Sequence, residues 1–236
     1  MSKVKWLALG MLVVACKTES ASEYQTAEIT ASFSALATGN GSTEVSGTLG
    51  RGALLTFLQL TADDQLVASQ GGEVKAMKEA SLLGLVSYSA TFGTDAADTE
   101  LHVKLIRAID AGAPDSKASL PQPFSLATLA KSDYSRAEAI VVSWTSAASS
   151  DPLTLEVTGT CLDSYSADPS PSATSFTIPA NALKKHAPAS STETVPDECD
   201  AGIRLKRTRA GTVDAAFKGG SFKAAQVRTA SFKTKP

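Results

Sequence analysis

The residues of this 236-residue chain best placed to do chemistry are its three cysteines, Cys16, Cys161 and Cys199. Cys16 closes an apolar run near the start, and the other two keep step with alternating apolar residues. Leu153, Leu155 and Val157 lead by twos through Gly159 to Cys161, and Cys199 opens the same phase with Ala201, Ile203 and Leu205. Period-two spacing puts both thiols on the buried faces of strands. An even pair in an oxidising compartment predicts a Cys161–Cys199 disulfide. The rival, a two-cysteine metal site, lacks histidines or further thiols at ligand spacing, so neither metal nor cofactor is expected.

Acid–base and nucleophilic chemistry has little to work with. His102 lies between Leu101 and Val103, so alternation turns it to solvent, and His186 follows Lys184 and Lys185 in a loop. A Ser-His-Asp constellation needs its imidazole buried against both partners. No HExxH, Gly-rich phosphate loop or nucleophile elbow occurs, and the chain reads as a non-enzyme. Asp95, Asp98 and Glu100 offer oxygens to Ca²⁺ or are simply solvated acids, and EF-hand spacing is absent.

Charge is unevenly distributed although the net charge is only −2. Residues 17–112 carry 12 acids and 6 bases, whereas residues 199–236 carry 9 bases against Asp200 and Asp214. Arg204, Lys206 and Arg209 form a candidate basic binding face, with Arg204 and Lys206 on the outward side of their strand. Such a face either contacts anionic glycans or lipid headgroups or guards a strand edge for solubility. Single-stranded nucleic acid would require aromatics interleaved with the bases, and only Phe217, Phe222 and Phe232 are at hand. No nucleic-acid partner is expected.

The elements that must position these residues begin after a leader. Lys3 and Lys5 precede the apolar run Trp6 to Ala15. As a helix it rises only about 15 Å, roughly half a membrane span, so residues 1–15 read as a signal peptide. Val13-Val14-Ala15-Cys16 resembles the lipobox of bacterial lipoproteins. That resemblance implies cleavage after Ala15, a diacylglyceryl group on the Cys16 thiol and acylation of the new amino terminus. It also implies a cell-envelope address at the outer membrane, where Lys17 in place of Asp disfavours inner-membrane retention. Residues 16–24 are expected to be a short tether.

Alternation then recurs through Ala27–Ala35, Val45–Leu49, Leu66–Ala68, Val86–Phe92 and Leu101–Leu105, with Asn40-Gly41 as a turn and Met77–Ala80 as a possible helical turn. Gly112–Gln122 loses periodicity and reads as a linker. Beyond it, Ile140–Trp144, Leu153–Val157, Phe176–Ile178, the Cys199 strand and Phe222–Phe232 read as strands. The loops Asp163–Ala173 and Ala187–Asp197 are rich in Ser, Pro and Asp. The expected fold is all-β, two tandem β-sandwich domains: residues 25–110, a linker at 111–123, and residues 124–236. Leu101 to Arg107 and Ala201 to Arg207 echo one another, each with apolar residues on one face and a basic residue at its end.

Ile140-Val141-Val142-Ser143-Trp144-Thr145, followed by Leu153-Thr154-Leu155-Glu156-Val157, resembles the second and third strands of fibronectin type III and related immunoglobulin-like domains. The resemblance implies that Trp144 packs in a sandwich core, and it carries over no binding residues. Leu153 stands where that family has a tyrosine, and Trp144 precedes both cysteines. The expected function is a non-catalytic envelope module that binds or scaffolds envelope polysaccharide or another envelope protein. A periplasm-facing accessory for envelope assembly or transport is the alternative, and a hydrolase is the third.

Overall fold

The computed structural model describes residues 18–236 apart from 53–55, 62, 147, 191 and 193. The leader and Cys16 therefore lie outside the described residues. The strands of the first half are β1 (Thr18–Ser20), β2 (Thr30–Ala37), β3 (Thr43–Arg51), β4 (Thr56–Gln59), β5 (Gln65–Gln70), β6 (Glu73–Ala76), β7 (Lys78–Leu82), β8 (Leu85–Phe92), β9 (Glu100–Ile106) and β10 (Ala113–Ser119). Those of the second are β11 (Phe124–Leu126), β12 (Asp133–Ser135), β13 (Ile140–Ser146), β14 (Leu153–Gly159), β15 (Leu162–Ala167), β16 (Ser175–Ile178), β17 (Cys199–Ala210) and β18 (Gly219–Lys235). Short 3₁₀ turns at Ala21–Glu23 and Thr26–Glu28 are the described helical elements. The expected all-β sandwich architecture holds.

One long sheet runs β1-β4-β3-β2-β18-β17-β14-β15, with β8 and β7 attached beside β3 and β12 beside β18. Two smaller sheets, β10-β9-β5-β6 and β11-β13-β16, cover it. Each covering sheet closes its own core. The first gathers Phe33, Leu49, Leu66, Val103, Leu120 and Phe222, the second Ile140, Trp144, Leu155, Ile203 and Phe232. Trp144, at 3% exposure, packs in a core as the fibronectin-like reading implies.

The two cores share a strand, and this corrects the domain boundaries. The first half of β18 pairs in parallel with β2, from Gly219↔Thr30 to Gln226↔Ala37, and its end pairs with β12. Residues 219–226 therefore complete the first sandwich, and the second is not a separate C-terminal domain. Period two carries through β18: Phe222 and Ala224 face the first core and Phe232 the second, so both covering sheets lie on one side of it. The close parallel pairing needs Gly220, whose φ is +147° and where a Cβ would sit 1.8 Å from the Ala31 carbonyl oxygen.

Four further readings are overturned. Residues 113–119 are not linker but strand β10, paired with β9 across a bulge between Ala113 and Ser116. Its inward positions are Ala113, Ser116 and Ala118, too small and polar to register as alternation, and Pro114 is accommodated on an edge strand at the bulge. The cores meet instead between Leu120 and Phe124. Lys78–Leu82 is a strand paired with β8, not a helical turn, and part of the Asp163–Ala173 loop is β15. Residues 18–24 are not a spacer: β1 pairs with β4, and Ala21 is fully buried.

Candidate functional site

The disulfide forms between Cys161 and Cys199, with Cα atoms 5.8 Å apart. Leu155↔Leu205, Val157↔Ile203 and Gly159↔Ala201 are directly opposed in the β14–β17 ladder. Continuing that register by two residues sets Cys161 against Cys199, so the bridge staples the sheet where its ladder ends.

The basic residues of β17 separate into different environments. Arg204 pairs with Glu156 at 3.3 Å on the outward face, both side chains more than a third exposed. Lys206 is half-buried on the same face. Arg209 is not part of that face at all. Its Nε and one Nη donate to both oxygens of Asp151 at 3.0 and 2.8 Å, and the other Nη donates to Asp98 at 2.6 Å and to the Leu120 carbonyl at 3.1 Å. Asp98 and Leu120 belong to the first sandwich and Asp151 to the second, so Arg209 clasps the two. The hydrogen bonds that Arg209 donates to Asp151 and Asp98 raise its pKa above the ordinary value.

Behind the clasp lies a polar plug that sequence reasoning missed. The Phe124 ring meets two guanidinium groups, that of Arg207 5.5 Å and that of Arg228 5.3 Å from its centroid. Arg207 donates to the Gln122 and Pro171 carbonyls, and Arg228 to those of Ala37 and Val227. Gln226, fully buried, donates to the Asp95 carbonyl at 2.7 Å and accepts from Arg228. Burial pulls the pKa of Arg207 and of Arg228 below the usual guanidinium value. Gly39 makes room for Arg228: at φ +84° it has no Cβ, and one there would lie 2.5 Å from Arg228 Nε. The signal for Arg207 was present, since Ala201, Ile203 and Leu205 put the next alternate residue inside.

The echo between the halves is a repeated device. Arg107 ends the inward row Leu101, Val103, Leu105, and its guanidinium donates to the Ala21 and Tyr24 carbonyls at 2.9 and 3.1 Å. Arg207 ends the corresponding row and holds the Gln122 carbonyl. Each arginine thus grips the chain leading into its own sandwich.

Electrostatics gives the clasp a pH dependence. Burial raises the pKa of Asp151, but hydrogen bonds from Arg209 and Ser149 outweigh it and leave the carboxyl below its usual value. A depressed carboxyl contributes stability above its unfolded pKa and loses it as pH falls through the folded one. Arg209→Gln should therefore speed proteolysis or hydrogen exchange at residues 120–123 at neutral pH. Wild type should show the same loosening only below about pH 4. Equal protection of variant and wild type would show that the plug alone sets the junction.

A groove of about 500 Å³ lies between residues 126–132 and Thr229–Ser231. There β18 has left β2 and has not yet met β12. The Phe222 carbonyl faces β17, accepting from Gly211, while the Lys233 N–H donates to Ser132 on the opposite edge. By period two, the N–H and C=O groups of Thr229 and Ser231 face the groove.

His102 stands on the outward face of β9, 2.8 Å from Glu100 and both partly exposed. The His186 N–H donates to the Cys161 carbonyl in a surface segment. The acids read as possible Ca²⁺ ligands have protein partners: Asp95 accepts from the Gly41 N–H, Asp98 from Arg209 and Gln122, and Glu100 meets His102. No group of three potential ligands converges among the described residues.

No family model matches the chain, and no curated protein does. Among solved structures it is similar to a chain of a cytokine receptor complex, at 12% identity and TM-score 0.32, over 87% of this chain and 95% of that one. It is also similar to the adhesin InvE of Yersinia pseudotuberculosis, at 12% identity and TM-score 0.24, over 86% of this chain and 58% of that one.

Proposed function

We propose that the chain is a non-catalytic lipoprotein of the cell envelope, anchored through Cys16, that holds its second sandwich away from the bilayer to bind another envelope protein. The observation that carries this reading is the course of β18. Its 17 residues extend about 55 Å at roughly 3.3 Å each, from the end where Thr18 enters the fold to the far end of the second sandwich. The junction of Arg209, Arg207, Phe124 and Arg228 stiffens that arm, a scaffold on which exposed segments serve recognition.

The groove at Thr229–Ser231 supports a protein partner. An extended segment there would continue the sheet by β-augmentation, with main-chain hydrogen bonds supplying affinity. The outward face is a weaker site for a polyanion, because Arg204 is paired with Glu156 and Arg209 is engaged in the clasp. Of the C-terminal bases, Lys218 and Lys223 precede or lie along the part of β18 that belongs to the first sandwich.

The test uses the intact chain in cells. Cys16→Ser should leave the leader uncleaved and the protein absent from the outer-membrane fraction, and normal processing would refute the anchor. Thr229→Pro removes an N–H that faces the groove and leaves the β17 ladder its donors. It should abolish cross-linking to the envelope partner, whereas wild-type capture should be insensitive to salt. Capture that falls steeply with salt, and equally in Thr229→Pro, would point instead to envelope polysaccharide on the outward face. Protease protection on intact cells would favour a periplasm-facing accessory over surface display.

A further inference from the structure

The turn joining β7 to β8 projects leucines at the end of the molecule where the chain enters the fold. Leu82 pairs with Leu85, leaving Leu83 and Gly84 as a two-residue turn. Leu82, Leu83 and Leu85 are 72%, 89% and 43% exposed. Both turn residues have positive φ, +50° at Leu83 and +81° at Gly84, the geometry for which Asn-Gly or Gly-Gly is ordinarily selected. A leucine there carries backbone strain, and its outward side chain gains no burial within the fold.

The position of this tip is set by a hydrogen bond: Thr18 Oγ1 donates to the Gly84 carbonyl at 2.9 Å. Cys16 is two residues before Thr18, within about 7 Å of extended chain. Because β1 is already part of the sandwich, an anchor at Cys16 leaves almost no spacer between bilayer and fold. Ile109, 77% exposed, extends from the same end, next to the Asp110 carboxylate that accepts from the Thr26 N–H just before β2.

We infer that the Leu82–Leu85 tip is a second membrane contact that inserts into the lipid interface beside the Cys16 anchor. The inference rests on the lipoprotein reading above. The bilayer is the occupant because the lipid-bearing residue adjoins the tip, and exposed leucines in a strained turn are otherwise a solubility liability. Contact at two points would fix the tilt of the arm, where a single flexible tether would let it swing.

The experiment uses the mature lipidated chain in phospholipid vesicles with brominated acyl chains. Leu83→Trp and, separately, Leu82→Trp place a fluorophore at the tip, the second without the positive φ. Trp6 leaves with the leader, and Trp144 is buried. A tip resting roughly 5–10 Å into the headgroup–acyl boundary should lose about half its fluorescence to the bromines and be shielded from iodide. Val141→Trp, at a 56% exposed position of the second sandwich, should respond to iodide alone. Iodide quenching of the tip without bromolipid quenching, in protein whose Cys16 lipid is verified by mass spectrometry, overturns the inference and leaves the anchor standing. Shielding from both quenchers means that a protein or a second copy covers the tip, and overturns it too. An unmodified Cys16 overturns both readings.

Discussion

Replacing Asp64 with Ala should lower the unfolding free energy by about 3–5 kcal/mol, because it leaves a buried guanidinium without its counter-ion. The side chains of Arg107 and Asp64 are 0% and 2% exposed, with Nε and Oδ2 2.7 Å apart. That contact is an ion pair, not a well-aligned hydrogen bond. The other Asp64 oxygen accepts from the Ala108 N–H at 2.9 Å. The Arg107 Nη atoms donate to the Thr26 hydroxyl and to the Ala21 and Tyr24 carbonyls. The pair therefore joins the β9 end to residues 18–28, the segment that leads into β2. Urea unfolding checks the magnitude, and hydrogen exchange over residues 18–28 checks the location. The double variant Asp64→Leu/Arg107→Met should regain much of the global stability, since paired apolar side chains avoid the desolvation cost. It should leave the 18–28 segment less protected, because the carbonyl ligands lose their donor. A loss below about 1 kcal/mol for Asp64→Ala would show that water reaches the pair.

Removing the disulfide is expected to cost about 3–4 kcal/mol on the chain-entropy account. Cys161 and Cys199 are separated by 38 positions. The chain between them leaves the long sheet, contributes β16 to the covering sheet beside β13, and returns as β17. The bridge thus limits the unfolded ensemble across a segment that visits both layers of the second sandwich. Cys161→Ser/Cys199→Ser should shift the urea midpoint down and raise the slope of the transition as the unfolded chain expands. Reduction of the wild-type protein should reproduce both effects. An unchanged midpoint would mean that the β14–β17 ladder holds this end without help.

Much of the sandwich was legible because alternation records burial directly. Leu153, Leu155 and Val157, or Leu101, Val103 and Leu105, are apolar at every second position and are buried in the structure. Strands whose buried positions are small or absent were not legible. β10 turns Ala113, Ser116 and Ala118 inward, and every residue of β7 is exposed. The disulfide was readable since both cysteines kept the phase of their neighbours, and the structure adds that they oppose one another in register.

Composition and local pattern determined the all-β class, the positions of most strands, the inward faces and the Cys161–Cys199 pairing, because each follows from neighbours a few residues apart. Tertiary structure alone decided that β18 pairs with β2 across about 190 positions of chain, since a strand's period names its faces and not its partner. It likewise decided the fate of the basic cluster. Arg204, Lys206 and Arg209 are two to three residues apart, yet one is paired on the outward face, one is half-buried on that face, and one clasps two sandwiches through Asp98 and Asp151. Those partners are brought together only when both cores close on the shared sheet, and no local rule in the chain encodes that meeting.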